Sequence, residues 1–209
     1  NIKGNQIQIS EIFSVLPLDS ASIKTKYSSE GIFNFDGNLN GEMNKEHPLS
    51  FVVNFNAENA TLKDKLNNIQ LEKIDLSGTF NNKEQKLRII NFSAFMNDKI
   101  LRGNLEVNNF NNPTYFLNIA GLFDLNKISF FTTLKDFYLD GETTIEMETK
   151  ITTKNDKLFL ENLDGKLVSK KINIDYLTTK THLELNDFEA DISKKNMDIT
   201  VQNSFFNED

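Results

Sequence analysis

The stretch Gly31-Ile32-Phe33-Asn34-Phe35-Asp36-Gly37-Asn38-Leu39-Asn40-Gly41-Glu42-Met43 decides the fold. Phe33, Phe35, Gly37, Leu39, Gly41 and Met43 fall on every second position, and Asn34, Asp36, Asn38, Asn40 and Glu42 stand between them. Side chains of a strand point alternately to its two faces, so this period of two reads as a strand with one buried face. A helix would scatter the same residues around its circumference.

The same alternation extends in both directions. Beyond a turn at His47-Pro48, Phe51, Val53, Phe55 and Ala57 share one side while Asn54, Asn56 and Glu58 share the other. Ile69 and Leu71 lead to Ile74, Leu76, Gly78 and Phe80, with a slip of phase near Lys73 that predicts a bulge. Asn81-Asn82 reads as a turn, and a second slip separates Leu87 and Ile89 from Ile90, Phe92 and Ala94. Leu101, Gly103, Leu105 and Val107 alternate with Arg102, Asn104 and Glu106. After a turn at Asn111-Asn112-Pro113 come Tyr115, Leu117, Ile119 and Gly121, and later Phe137, Leu139, Gly141, Thr143, Ile145 and Met147. Further strands carry Leu158/Leu160, Leu163/Leu167, Ile172/Ile174/Tyr176, Leu183/Leu185 and Ile199/Val201, with Asn155-Asp156 and Asp164-Gly165 read as turns. About a dozen strands with short connections make mostly antiparallel neighbours.

Two segments break the period. Ile9, Ile12, Phe13 and Leu16 have helical spacing within 7–16, and Leu125, Ile128, Phe131 and Leu134 have it within 125–134. Each suits a short helix of about two turns. The pieces Asn104–Phe110 and His182–Phe188 echo each other, a weak internal repeat. Two short helices cannot cover the apolar face of a dozen strands. The sheet must fold on itself as a sandwich, close as a barrel, or curl into a half-pipe with an apolar lining. Glycines on the apolar face (Gly37, Gly41, Gly78, Gly103, Gly121, Gly141) favour strong curvature or close approach of another backbone.

Composition narrows the function. Of 209 residues 38% are hydrophobic and eighteen are Phe, too many for a disordered chain. A net charge of −7 argues against a protein that tracks nucleic-acid phosphates. With no cysteine there is no disulfide framework, thiolate zinc site or cysteine nucleophile. No apolar run approaches the ~20 residues of a membrane-spanning helix, so any signal or anchor is expected outside these residues. His47 and His182 read as a turn residue and a surface residue, and neither has a partner at metal-ligand spacing. Phosphate-binding loops, G-x-S-x-G elbows and dinucleotide fingerprints are absent from the sequence. Asp and Glu alternate on the polar strand faces, where solubility needs them. Asn59-Ala60-Thr61 and Asn91-Phe92-Ser93 match the glycosylation sequon, as an Asn-rich chain does by chance.

The run from Leu101 to Ile128 resembles the AsmA-like family: a Gly-containing strand, an n-f-x-x-P turn at Asn109–Pro113, a strand ending at Gly121, and Phe123-Asp124-Leu125 opening a helix. Gly31–Gly41, Asn56–Leu62 and Ile74–Phe80 follow that family's order of elements, and Ile9–Leu16 resembles a preceding copy of its short helix. The likeness covers most of 9–134 and thins out beyond. It implies a Gram-negative envelope protein with a periplasmic body and an inner-membrane anchor outside this chain. It also implies kinship with repeating-β-groove, bridge-like lipid-transfer proteins, and it brings no catalytic residues.

The expectation is therefore an all-β chain: one long, twisted, mainly antiparallel sheet curled into a half-pipe or groove, with short helices near 7–16 and 125–134. Residues 1–209 form a single β-groove segment of a larger protein, with weak repeat units 9–124 and 125–209. Its function is non-enzymatic binding and transfer of phospholipid through the periplasm, contributing to outer-membrane biogenesis, with no cofactor or metal. Its partners are acyl chains and other envelope segments. The expected lipid-groove residues are Phe33, Phe35, Leu39, Met43, Phe51, Val53, Phe55, Leu76, Phe80, Leu105, Val107, Leu117, Ile119, Ile145 and Met147. An acyl chain of about sixteen carbons costs on the order of 13 kcal/mol to expose to water at ~0.8 kcal/mol per CH₂, and an apolar trough removes most of that. At ~4.8 Å per strand a dozen strands give a trough of roughly 55 Å. The competing reading is a β-sandwich binding or adhesive module on a cell surface, its phenylalanines packed between two sheets.

Overall fold

The computed structural model describes residues 1–11, 26–41, 49–65, 69–126, 136–154 and 157–208. The chain is all-β. Its strands are β1 (Ile2–Gln8), β2 (Tyr27–Asn40), β3 (Ser50–Asp64), β4 (Ile69–Asn81), β5 (Lys86–Met96), β6 (Lys99–Asn108), β7 (Thr114–Asp124), β8 (Phe137–Lys154), β9 (Lys157–Tyr176), β10 (Thr181–Ser193) and β11 (Met197–Glu208). They form one open eleven-stranded antiparallel sheet in the order of the sequence, β1 to β11.

By compactness the chain divides into Asn1–Leu117 with Lys150–Phe159, and Asn118–Thr149 with Leu160–Asp209. In the first unit the pairing keeps like with like. Phe35 faces Phe55, Gly37 faces Val53 and Leu39 faces Phe51. Val53 then faces Phe80, and Ala57 faces Leu76. Leu76 faces Phe92 and Phe80 faces Leu87, and on the next strand Leu87 meets Val107 and Ile89 meets Leu105. Directly opposed residues project to the same face, so one side of β1–β6 is apolar and the other polar.

Left-handed residues interrupt the ladder where the sequence changes phase. Lys73 has φ 47° beside the register shift between Ala60 and Leu62, the bulge expected there. Ile90 is the extra residue of β5: Ile89 faces Gly78 and Asn91 faces Ser77, so Ile90 is pushed off the apolar row and is 54% exposed. Gln6, Gly31 and Asn59 have φ 55°, 120° and 47° at further shifts in β1, β2 and β3. The Asp75 carboxylate accepts the Asn59 N–H at 2.9 Å, replacing the ladder bond that the bulge removes. Gly31 is required: a Cβ there would lie 2.6 Å from the Ala60 Cα.

The second unit changes phase differently. On β9 the apolar row runs Gly165, Leu167, Ser169 and then Ile172, Ile174. On β10 it runs Leu183, Leu185 and then Phe188, Ala190, Ile192, and on β11 Met197, Ile199, Val201 and then Ser204, Phe206. All three strands skip at one level, 170/171, 186/187 and 202/203, so the pairing register stays unbroken. Asp187, with φ 49°, lies on that line. The expected turn at Asp164-Gly165 is incorrect: both residues lie inside the twenty-residue β9, and the strands read at Leu158/Leu160, Leu163/Leu167 and Ile172/Tyr176 are one strand. Alternation at 163, 165 and 167 carries the strand straight through the Asp-Gly pair.

Of the expected helix 7–16, Ile7 and Gln8 belong to β1, Ile9–Glu11 form a helical turn, and 12–16 lie outside the described residues. Of 125–134, Leu125 and Asn126 form a short turn of helix and the remaining positions, 127–134, lie outside them, as do Met43, His47, Pro48, Asn155 and Asp156. Asn97 and Asp98, at φ 50° and 62°, close the two-residue β5–β6 hairpin, the backbone that Asn and Asp tolerate best. The expected turn near Asn81-Asn82 occupies 82–85. The Asn82 side chain also ties the start of β3, accepting from the Phe51 N–H at 2.7 Å and donating to the Leu49 carbonyl at 2.8 Å.

Candidate functional site: an apolar sheet face

The face built by β1–β6 has a packed end and a half-open remainder. At the packed end Ala57, Ala60, Ile74 and Ala94 are buried, and Ile9, Phe33, Leu62, Leu71, Leu76 and Phe92 pack against them. Small residues in the sheet let the first helical residue, Ile9, sit close above it. Away from that end Phe35, Phe51, Val53, Phe55, Phe80 and Leu105 are only half-buried, and Leu39 is 43% exposed.

Aromatic rings pave this face. Phe33 stacks on Phe55 with centroids 5.7 Å apart, and lies 6.3 Å from Phe35. Phe51, Phe80 and Phe110 form a second row, each step 5.4 Å. Such pairs contribute about 0.5–1.5 kcal/mol beyond their buried area and hold the rings in fixed orientation. Glycines make room for them: Gly78 lies opposite Phe55, and a Cβ there would fall 2.6 Å from the ring. Phe110 was not among the expected groove residues, because it sits in a turn where alternation carries no information.

Of the fifteen expected positions, the registers bring Phe33, Phe35, Leu39, Phe51, Val53, Phe55, Leu76, Phe80, Leu105 and Val107 onto this single face. Leu117 belongs to the same unit. Ile119, Ile145 and Met147 belong to the second, where Ile145 and Met147 stand two residues apart on β8. Met43 lies outside the described residues. In the second unit the apolar row of β9–β11 contains the buried Ile172 and Ala190. Thr143, on β8, is 1% exposed and its hydroxyl donates to the Val168 carbonyl at 3.2 Å.

The polar side also has shape. A hollow of about 470 Å³ is lined by Lys3, Asn5, Asn34, Asp36, Asn54, Asn56, Ser77, Thr79 and the displaced Ile90, with Phe35, Phe55 and Gly78 of the same strands also reaching it. Sequence reading places Asn34, Asp36, Asn54 and Asn56 on the polar strand face and Ile90 with the apolar residues, and gives no sign of a cavity; the bulge that displaces Ile90 brings it into the lining. Lys3 pairs with Asp36 at 3.6 Å across it. Among the described residues Asp36 is the one carboxylate in its lining.

Glu106 is a strongly perturbed carboxylate on the polar side. Partial burial pushes its pKa up, but hydrogen bonds from Asn108, Lys86 and Arg88 and the Arg88 charge outweigh this and hold it at about 2. Lys86 is 2.9 Å and Arg88 2.6 Å from its two oxygens. His182, directly across the ladder from Asp175, places Nδ1 2.6 Å from that carboxylate. Among the described residues no group of His, Asp and Glu is arranged to hold a metal, and no helix is long and apolar enough to cross a membrane. Comparison with protein-family models, with curated proteins and with solved structures finds no match to this chain.

Proposed function

We propose that this chain binds the acyl chains of lipids along the apolar face of its sheet, without chemistry, as one segment of an AsmA-like lipid-transfer protein of the bacterial periplasm whose parent is anchored in the inner membrane. The observation that supports this reading is the ladder register: ten of the expected groove residues line up on one face of β2–β6, and most of them stay half-exposed. A β-sandwich module would bury these rings under facing strands, whereas Phe35, Phe51, Phe55 and Phe80 stay half-exposed. Half-exposed phenylalanines in contiguous rows offer dispersion and shape but few aimed polar groups, so selectivity is for acyl chains over polar solutes rather than for one headgroup. A face without directed bonds lets an acyl chain slide along it, which is what transfer toward the outer membrane would use.

The test is direct. The purified 209-residue chain should retain lipid detectable by mass spectrometry and should bind a fluorescent fatty acid. At a strand spacing of ~4.8 Å about four methylenes pass over each strand, a contact of about 3 kcal/mol at ~0.8 kcal/mol per CH₂. A charge at Phe35→Glu or Leu105→Asp should therefore weaken fatty-acid binding on the order of a hundredfold, while Asn38→Asp on the polar face leaves it unchanged. Lipid-free protein that binds no fatty acid would reject the proposal.

A further inference from the structure

The hollow on the polar side lies over the interior strands β2, β3 and β4. Its floor is made of short side chains: Asn34 and Asp36 on β2, Asn54 and Asn56 on β3, Ser77 and Thr79 on β4. Asn34 faces Asn56 and Asp36 faces Asn54; across the next ladder Asn56 faces Ser77 and Asn54 faces Thr79. Opposed side chains stand about 4.5–5.5 Å apart, and the next pair on the same face follows about 6.8 Å along the strand, so the floor is a grid of two rows. The flanking strands are both bulged at this level, β1 by the shift between Gly4 and Ile7 and β5 by the extra residue Ile90. Lys3 and Asn5 therefore stand on one side of the grid and the exposed Ile90 on the other.

Hydrogen bonds within the floor leave both donors and acceptors for a ligand. Asn34 Oδ1 accepts the Gln6 N–H at 2.8 Å, so its NH₂ is the end that remains. The Asn56 NH₂ donates to the Glu58 carboxylate at 2.7 Å, which leaves its carbonyl as an acceptor. Ser77 Oγ accepts from the Asn91 NH₂ at 3.3 Å and keeps its own proton to donate. Among the described residues the Asn54 and Thr79 side chains have no partner. Lys3 and Asp36 cancel each other's charge. Donors and acceptors interleaved without net charge match hydroxyl groups, each of which donates and accepts at once. An anion would meet the Asp36 carboxylate and the Asn56 carbonyl, and a metal ion would find a single carboxylate already paired. We infer that this hollow binds a neutral saccharide, its hydroxyls on the Asn54 and Thr79 side chains and their neighbours in the grid, and the C–H face of a sugar ring against Ile90. The bulge that takes Ile90 off the apolar row gives the polar lining that contact. A volume of about 470 Å³ falls within the about 300–1,000 Å³ of small-molecule sites. The site uses the side of the sheet opposite the acyl-chain face and does not depend on that reading.

A few hydrogen bonds and one apolar contact correspond to a dissociation constant of about 1 mM. Cellobiose, maltose and N,N′-diacetylchitobiose, each added to the 209-residue chain to about 20 mM, are the probes, with binding read from amide chemical shifts by NMR. At least one should bind, with its largest shifts at Asn54, Thr79 and Ile90. Sialyllactose, an acidic sugar, and the peptide tetraalanine should bind more weakly than that sugar. Thr79→Val keeps a branched side chain suited to a strand and loses only the hydroxyl, so it should weaken binding about tenfold with circular dichroism unchanged. Asn54→Ala should do the same, and Asn38→Ala, outside the hollow, should leave binding as it was. No binding by any of the three neutral sugars, equal or tighter binding of the peptide or the acidic sugar, or sugar binding indifferent to both Thr79→Val and Asn54→Ala would each overturn the inference.

Discussion

Replacing Gly78 with Ala tests whether the apolar face is limited by backbone or by rings. Gly78 lies between Phe55 on β3 and Ile89 on β5. Its φ is not left-handed, so alanine meets no conformational penalty, and the cost is purely spatial. The new Cβ would lie 2.2 Å from the Arg88 carbonyl oxygen and 2.6 Å from the Phe55 ring. The ring can turn aside. The carbonyl belongs to β5 and moves only with that strand. Overpacking of this kind costs about 1–3 kcal/mol, and the reduced freedom of the unfolded chain returns about 0.4–1 kcal/mol. The expected net loss is about 1–2 kcal/mol by urea denaturation followed by circular dichroism. Phe55→Ala alone should cost about 2 kcal/mol, less than a fully buried phenylalanine because the ring is half-exposed. In the double variant the Gly78→Ala cost should persist, with a coupling energy below about 1 kcal/mol. If Gly78→Ala is neutral, or its cost vanishes without the ring, the backbone is not what excludes a side chain here.

Glu106→Gln should remove an acid-dependent share of stability. The folded carboxyl titrates at about 2 against an ordinary 4.5, so its stabilisation is complete above about pH 4.5 and disappears as pH falls toward 2. The shift alone sets a ceiling of about 3 kcal/mol, which solvent screening reduces to about 1–2 kcal/mol, measured as the difference between the two chains' urea midpoints at pH 6 and pH 3. Lys73→Gly should raise stability by about 0.5–1 kcal/mol, since glycine takes φ 47° without strain, and Lys73→Val should lower it by more than 1 kcal/mol. Equal thermal midpoints for the two Lys73 variants would mean that the bulge relaxes around its side chain.

The strands were legible because alternation over Gly31–Asn40, Phe51–Ala57 and Leu101–Val107 is long and regular, and one buried face enforces it. The bulge near Lys73 was legible for the same reason, since a slip of phase is itself a periodic signal. The register that aligns Phe35 with Phe55 was not, because it is set jointly by every bulge and turn along the pair. Glu106, on the polar side of β6, reads as an interchangeable surface carboxylate. Its partners Lys86 and Arg88 lie eighteen to twenty residues away in sequence and meet it only across the β5–β6 ladder. The phase slip at Ile89-Ile90 was visible, but which of the two residues leaves the apolar row depends on Gly78 and Ser77 of the neighbouring strand.

Because each strand lies beside its predecessor in the chain, every ladder closes through a connection to its immediate neighbour. Most β-sheet proteins delay their long-range pairings until much of the chain has collapsed, and they fold slowly as a result. Here each new strand can zip onto an existing edge as it emerges from the ribosome, with only its own connection to the preceding strand to close. Unfolding should run the same way in reverse, from either edge inward, as in repeat arrays where stability is a sum of neighbour terms. Amide exchange should then show protection rising stepwise from β1 and from β11 toward interior strands, and progressive removal of terminal strands should shorten the sheet without abolishing it.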